Sequence, residues 1–316
     1  YGIAREDWLD LSSGIAPWTF PIPEIPLCAW ARLPETDDGL ERAAAAYYGV
    51  SQLLPVAGSQ AAIQALPRLR PRGCVGVLSP CYAEHAEGWR RAGHRVLELD
   101  EAQLAERLDD LDVLVVVNPN NPTGRVVPAD TLLDWHQRLA RHGGWLLVDE
   151  AFMDNTPADS IAACSEREGL IVLRSFGKFF GLAGVRLGCV LAQPSLLRAL
   201  AEELGPWSVS GPTRALAQAC FSDRASQQLQ TQRCAAASAR LAALLEKAGL
   251  VPAGGCDLFQ YLCLDQAAAF HDFMARRGIL LRLFEQPPAL RFGLPAEEAD
   301  WQRLAAALND YRKEQP

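Results

Sequence analysis

Asn118-Pro119-Asn120-Asn121-Pro122-Thr123-Gly124, Asp149-Glu150-Ala151 and Ser175-Phe176-Gly177-Lys178 each follow a run of β-branched and aliphatic residues. An amide, a carboxylate and an amine therefore stand where strands end. A lysine set in a Gly- and Phe-rich turn becomes a nucleophile once desolvation favours its neutral form. A carboxylate at the end of a buried strand can hold a proton on a cationic ring nitrogen. An asparagine amide can donate to a phenolic oxygen. Upstream, Gly58-Ser59 opens a helix with a hydroxyl and backbone N–H groups, and Ser175 and Arg186 add a second hydroxyl and a guanidinium. Such a set suits a phosphate.

Each group alone has an ordinary structural reading. The Asn-Pro segment is a turn, Asp149 a helix cap, Lys178 a solvated loop lysine and Arg186 a surface ion-pair partner. Together they match one ligand atom by atom, pyridoxal 5'-phosphate (PLP). Its aldehyde needs Lys178, its ring nitrogen Asp149, its O3' Asn121, and its phosphate Ser59, Ser175 and Arg186.

These residues need a scaffold that brings several strand ends to one rim. From about residue 54 to 200, strand-like runs at 74–78, 96–99, 113–117, 145–148, 170–173 and 185–191 alternate with helical patterns at 59–66, 84–91, 129–142 and 194–204. That alternation predicts βαβ units and a largely parallel sheet, with ligands outside the carboxyl ends of the strands. After Gly205-Pro206 the texture changes to one long helical stretch at 214–248, strand-like runs at 258–264 and 279–283, and a helix at 297–311. The expected organisation is an α/β large domain over 30–204 and a small α+β domain over 205–316, completed by an N-terminal arm, 1–29.

Composition narrows the partners. A net charge of −8 and the lack of a basic tract argue against a nucleic-acid surface. The nine cysteines are scattered without a C-x-x-C pair and read as small apolar residues in a reducing compartment. No metal site is expected. The longest apolar runs are too short to span a bilayer, and no charged segment followed by an apolar one marks a signal peptide. The expectation is a cytoplasmic enzyme, with further residues preceding Tyr1.

In order and spacing, these motifs resemble the aspartate aminotransferase-like, fold type I PLP enzymes over most of the chain. The resemblance implies a mostly parallel seven-stranded sheet flanked by helices, with Lys178 as the Schiff-base lysine. It gives Asp149 the pyridine nitrogen, Asn121 the O3' atom, and Ser175, Arg186, Ser59 and Gln60 the phosphate. In Pro80-Cys81-Tyr82-Ala83-Glu84-His85, Tyr82 is implied to stack on the ring, as a catalytic residue with Lys178 and Asp149, and His85 to support Asp149. Tyr47, in Tyr47-Tyr48-Gly49-Val50, matches a tyrosine that reaches the cofactor phosphate of a neighbouring subunit, which implies a homodimer with shared active sites. In Leu290-Arg291-Phe292-Gly293, Arg291 matches the arginine that clamps the substrate α-carboxylate, beside Asn121.

Within that family the motifs are similar to the histidinol-phosphate aminotransferase branch, and the run 174–188 to its threonine-phosphate decarboxylases of cobalamin biosynthesis. Arg282, in Gly278-Ile279-Leu280-Leu281-Arg282, then meets the substrate phosphate. The implied reaction is decarboxylation of L-threonine O-3-phosphate to (R)-1-amino-2-propanol O-2-phosphate. The alternative is a histidinol-phosphate-type aminotransferase. Two departures stand out: Phe152 replaces the tyrosine of an Asp-x-Ala-Tyr pattern, and Leu11-Ser12-Ser13-Gly14-Ile15-Ala16-Pro17 replaces an Asn-x-Asn-Pro pattern.

Overall fold

The computed structural model describes residues 1–314. Val113–Val117 is buried along its whole length, as are Cys74–Leu78 and Leu170–Ser175. Continuous apolar runs of this kind belong to parallel strands covered on both faces. They sit in a seven-stranded sheet ordered Leu54–Val56, Gly188–Leu191, Leu170–Ser175, Trp145–Asp149, Val113–Val117, Cys74–Leu78, Arg95–Leu99. Gly188–Leu191 is antiparallel to both its neighbours, and the other neighbouring pairs are parallel. The expected α/β architecture is therefore present.

Alternate residues of each strand enter different cores. Leu114, Val116, Leu146, Val148, Leu170 and Val172 face one core, and Val113, Val115, Leu147, Ile171 and Leu173 face the other. The antiparallel sheet ordered Arg282–Glu285, Pro288–Gly293, Phe259–Cys263, Gly254–Cys256 builds a further core with Ala267–Ala275, Glu298–Glu314 and part of Arg224–Lys247. Leu9 and Leu11 of the N-terminal arm join this core, and Leu9–Asp10 pairs in parallel with Ile279–Leu280. Gly211–Ser222 lies beyond the expected division at residue 205, yet Leu216, Ala217, Cys220 and Phe221 enter the first core of the large sheet. Gln315 and Pro316, which end the expected small domain, lie outside the described residues.

Two expected elements are divided and a third is shortened. The long helix is two, Gly211–Ser222 and Arg224–Lys247, because Asp223 leaves helical geometry and accepts the Ser226 N–H at 3.0 Å as the cap of the second. The 279–283 run is two strands in two sheets, since the chain changes partner at Leu281 between Ile279–Leu280 and Arg282–Glu285. The 185–191 strand starts only at Gly188, because Ala183–Val185 is a 3-10 turn that ends with Arg186 at φ 56°. Among the described residues no helix is long and apolar enough to cross a membrane.

Candidate active site

Val113–Val117, Trp145–Asp149 and Leu170–Ser175 are neighbours in the sheet and run the same way. Their carboxyl ends bring Asn121, Asp149, Ser175 and Lys178 to one cleft of about 160 Å³, which Gly58, Ser59, Gln60, Tyr82, Phe152 and Arg186 also line. Every expected cofactor contact except His85 and Tyr47 opens onto this space. His85 lies directly behind it, with Nε2 2.8 Å from Asp149 Oδ2, both groups buried. The helix Glu84–Arg91, which carries Ala86 and Trp89 into the core, fixes that histidine.

Asp149 Oδ1 also accepts the Ala151 N–H at 3.1 Å. With Nε2 donating, His85 and Ala151 give the carboxylate two hydrogen-bond donors that fix its orientation. Lys178 is held below the ordinary lysine pKa, chiefly by burial and next by the positive field of Arg291, against the pull of Asp149. Its amine lies 5.8 Å from the centre of the Phe152 ring, which packs edge-on against Phe259. The backbone around the lysine is tied to the N-terminal arm, whose Ala16 N–H donates to the Lys178 carbonyl at 2.9 Å.

The anion side of the cleft is built from backbone. Gly58 has φ 75°, and a Cβ there would stand 2.7 Å from Arg186 Nη2. Only glycine leaves the guanidinium room over the start of the helix Ser59–Ala65. Arg186 itself has a left-handed backbone and, though exposed, lines the cleft, its Nη1 donating to the Ala183 carbonyl at 3.2 Å. Gly188 lies under the same turn, where a Cβ would meet Ser59 N at 2.5 Å and Gly58 C at 2.9 Å. Both are main-chain atoms, which yield only by moving the turn. Gly188→Ala should therefore lower stability by about 1–3 kcal/mol and weaken PLP binding, as read by thermal melting and PLP titration. Unchanged PLP affinity would mean that the turn does not shape the phosphate site.

These features fit PLP: a glycine-formed cradle with two hydroxyls and a guanidinium, a doubly supported carboxylate, and a desolvated lysine in one cleft. Tyr82 completes the wall, half-exposed, its hydroxyl donating to Gln60 Oε1 at 3.2 Å.

Arg291 extends the site toward the smaller sheet. It is 8% exposed, donates to Asn121 Oδ1 and to the Ser12 carbonyl, and its Nε has no hydrogen-bond partner among the described residues. Burial, then the like charge of Arg282, pushes its pKa down to about 10. Arg282 sits opposite Arg291 in the antiparallel ladder, so the two side chains share a face. Arg282 is exposed and lies over Phe284. Neither arginine forms an ion pair among the described residues.

Tyr47 is not brought into the cleft of its own chain. It donates to Asp154 Oδ1 at 3.1 Å and borders a separate cavity of about 540 Å³. The roles of the Ala151 N–H and the Ser12 carbonyl escaped sequence reasoning, since main-chain groups carry no side-chain signature. The departure at Leu11-Ser12-Ser13-Gly14 marked this segment in the sequence, but not the main-chain contact that Ser12 makes.

The profile of the class I and II aminotransferases matches residues 29–308. A threonine-phosphate decarboxylase of Pseudomonas aeruginosa is 64% identical over 313 residues, covering 99% of this chain and 95% of that protein. One from Sinorhizobium sp is 43% identical, covering 98% and 93%. The fold is similar to that of a Sinorhizobium meliloti histidinol-phosphate aminotransferase solved with pyridoxal-5'-phosphate, at TM-score 0.86 and 22% identity over 97% of this chain and 91% of that one.

Proposed function

Because this chain belongs to the class I and II aminotransferase family, we propose that it is a PLP-dependent carboxy-lyase. It converts L-threonine O-3-phosphate to (R)-1-amino-2-propanol O-2-phosphate for cobalamin synthesis. The observation that carries the substrate class is the opposed pair Arg291 and Arg282, two guanidinium groups free of ion pairs that suit a carboxylate and a phosphate on one small molecule. The decarboxylase relatives, and a phenyl ring rather than a phenol at Phe152, support carbon dioxide release over amino transfer.

When bound, PLP supplies an electron sink for the pair released as a bond to the substrate Cα breaks. Asp149, supported by His85 and Ala151, holds the proton on the pyridine nitrogen that keeps the sink effective. Asn121 donates to O3', and Ser59, Gln60, Ser175 and Arg186 hold the phosphate. Tyr82 covers one face of the ring. Lys178 would hold the cofactor aldehyde and, as a desolvated amine, would supply the proton that Cα takes up once the carboxylate has left as carbon dioxide. Arg291 would bind the α-carboxylate and fix its orientation, so that the bond to carbon dioxide breaks rather than Cα–H. Arg282 anchors the substrate phosphate.

The same reading makes the enzyme a cytoplasmic homodimer, in which Tyr47 reaches the partner's cofactor phosphate. The placement of Tyr47 away from its own cleft supports this.

Incubation with L-threonine O-3-phosphate should release carbon dioxide, whereas histidinol phosphate with 2-oxoglutarate should give no glutamate. Glutamate formation without carbon dioxide release would overturn the assignment in favour of the aminotransferase. Arg291→Leu should lower kcat/KM by roughly 30-fold or more, the cost of removing one partner of a buried charge-assisted contact. A loss of less than threefold would move the carboxylate elsewhere.

A further inference from the structure

Arg174 and Glu150 lie one residue from Ser175 and Asp149, and strand alternation turns them to the opposite face of the sheet. Leu147 and Leu173, two residues before Asp149 and Ser175, face the core that holds Trp89. Val148 and Val172, two residues before Glu150 and Arg174, face the other core. On that far side, Arg174 Nη1 donates to Glu150 Oε2 at 2.8 Å, and Nη2 forms an ion pair with Asp154 Oδ1 at 3.1 Å. Arg174 is 2% exposed, Glu150 0% and Asp154 6%. Glu150 also accepts from Ser160 Oγ and from the Ile161 N–H, and Tyr48 lies beneath the guanidinium at 4.6 Å.

Both carboxylates belong to the turn that leaves the Asp149 strand. Between them stand Ala151, whose N–H donates to Asp149 Oδ1, and Phe152, whose ring lies beside Lys178. One guanidinium on the neighbouring strand thus fastens the turn at both ends. The arrangement is overdetermined for packing: a guanidinium and two carboxylates in a dry interior add little net stability over apolar groups of like volume, yet removing one member is costly. Its distinctive consequence is geometric, because it anchors both ends of the turn whose Ala151 N–H donates to Asp149.

We propose that Arg174 is a positioning residue for the reaction, acting through Glu150 and Asp154 to hold the Ala151 N–H on Asp149 and the Phe152 ring beside Lys178. The inference rests on the role given above to Asp149 and touches no group that meets substrate.

The test uses the holoenzyme with two mild variants. Arg174→Lys keeps the charge but loses the fork that spans both carboxylates. Asp154→Asn keeps the shape and removes one anchor. Each should lower kcat about tenfold or more, the scale of a small misplacement at a reacting centre, with KM for L-threonine O-3-phosphate changed less than twofold. The second readout is independent of turnover. The five histidines are labelled with nitrogen-15, and His85 is assigned by the loss of its signal in His85→Gln. Its ring signals should shift in both variants, because the carboxylate it bonds has turned.

A fall in melting temperature with kcat and the His85 signals unchanged would make Arg174 purely structural and overturn the proposal. Failure of both variants to fold would also overturn it, since Arg174 would then serve the fold rather than the geometry of the site. If the wild-type enzyme releases no carbon dioxide, the functional reading fails, while the His85 shift still reports on Arg174.

Discussion

Lys178→Ala should lower carbon dioxide release from L-threonine O-3-phosphate by at least about 10³-fold, since it removes both the covalent hold on the cofactor and the proton donor to Cα. The visible absorbance of lysine-bound PLP should vanish, while phosphate contacts at Ser59, Ser175 and Arg186 still retain the cofactor. Turnover within tenfold of wild type would exclude Lys178 as the reacting amine.

The lysine also marks the cofactor-free protein. Its pKa is lowered in the folded state, first by burial and then by Arg291. Between that folded value and the ordinary lysine value the unfolded chain binds more protons, so stability rises with pH across this window. The penalty is complete below the folded pKa and gone above the unfolded one. Cofactor-free Lys178→Met should therefore be more stable than cofactor-free wild type at neutral pH, with the difference shrinking as pH climbs toward the lysine range. Urea titrations across that range check it; a difference that grew with pH would refute the sign.

Asp149→Asn should lower kcat by roughly 10²- to 10³-fold with the cofactor still bound, the scale seen when one preorganised electrostatic group is lost. The amide preserves shape, and the Ala151 N–H still finds an oxygen, but nothing then holds the ring proton. His85 cannot substitute, because it meets Asp149 rather than the cleft and its Nδ1 is buried without a hydrogen-bond partner among the described residues. A loss smaller than tenfold would show that the reaction proceeds without a protonated ring.

The large sheet was legible because its strands are local, continuous apolar runs, and because the residues that matter sit one step past their ends. Asn121, Asp149, Ser175 and Lys178 could be aligned on one rim from alternation alone. The smaller unit was less legible, since its features depend on partners distant in sequence. Nothing near Leu281 signals that the chain leaves the arm and joins Pro288–Gly293, and the break at Asp223 turns on a cap rather than on helical periodicity. Arg282 and Arg291 could be named from motifs, but their opposition across two strands became visible only with the register. The far-side cluster around Arg174 was hidden for the same reason, each member looking like an ordinary charge beside a strand end.

The N-terminal arm has a consequence for how the enzyme comes into being. Residues 9–20 are made well before the segments they bond to, since their partners include Gly278, Leu280, Gly293 and the Arg291 guanidinium, with Lys178 and Phe180 between. Pairings this distant along the chain form late and slowly. The large sheet can assemble while synthesis continues, but Ser12 has no arginine to meet until residue 291 has been made. A nascent chain can therefore hold Lys178 and Asp149 in one sheet well before Arg291 reaches the Ser12 carbonyl, and the arm locks onto the lysine turn and the smaller sheet only when both exist.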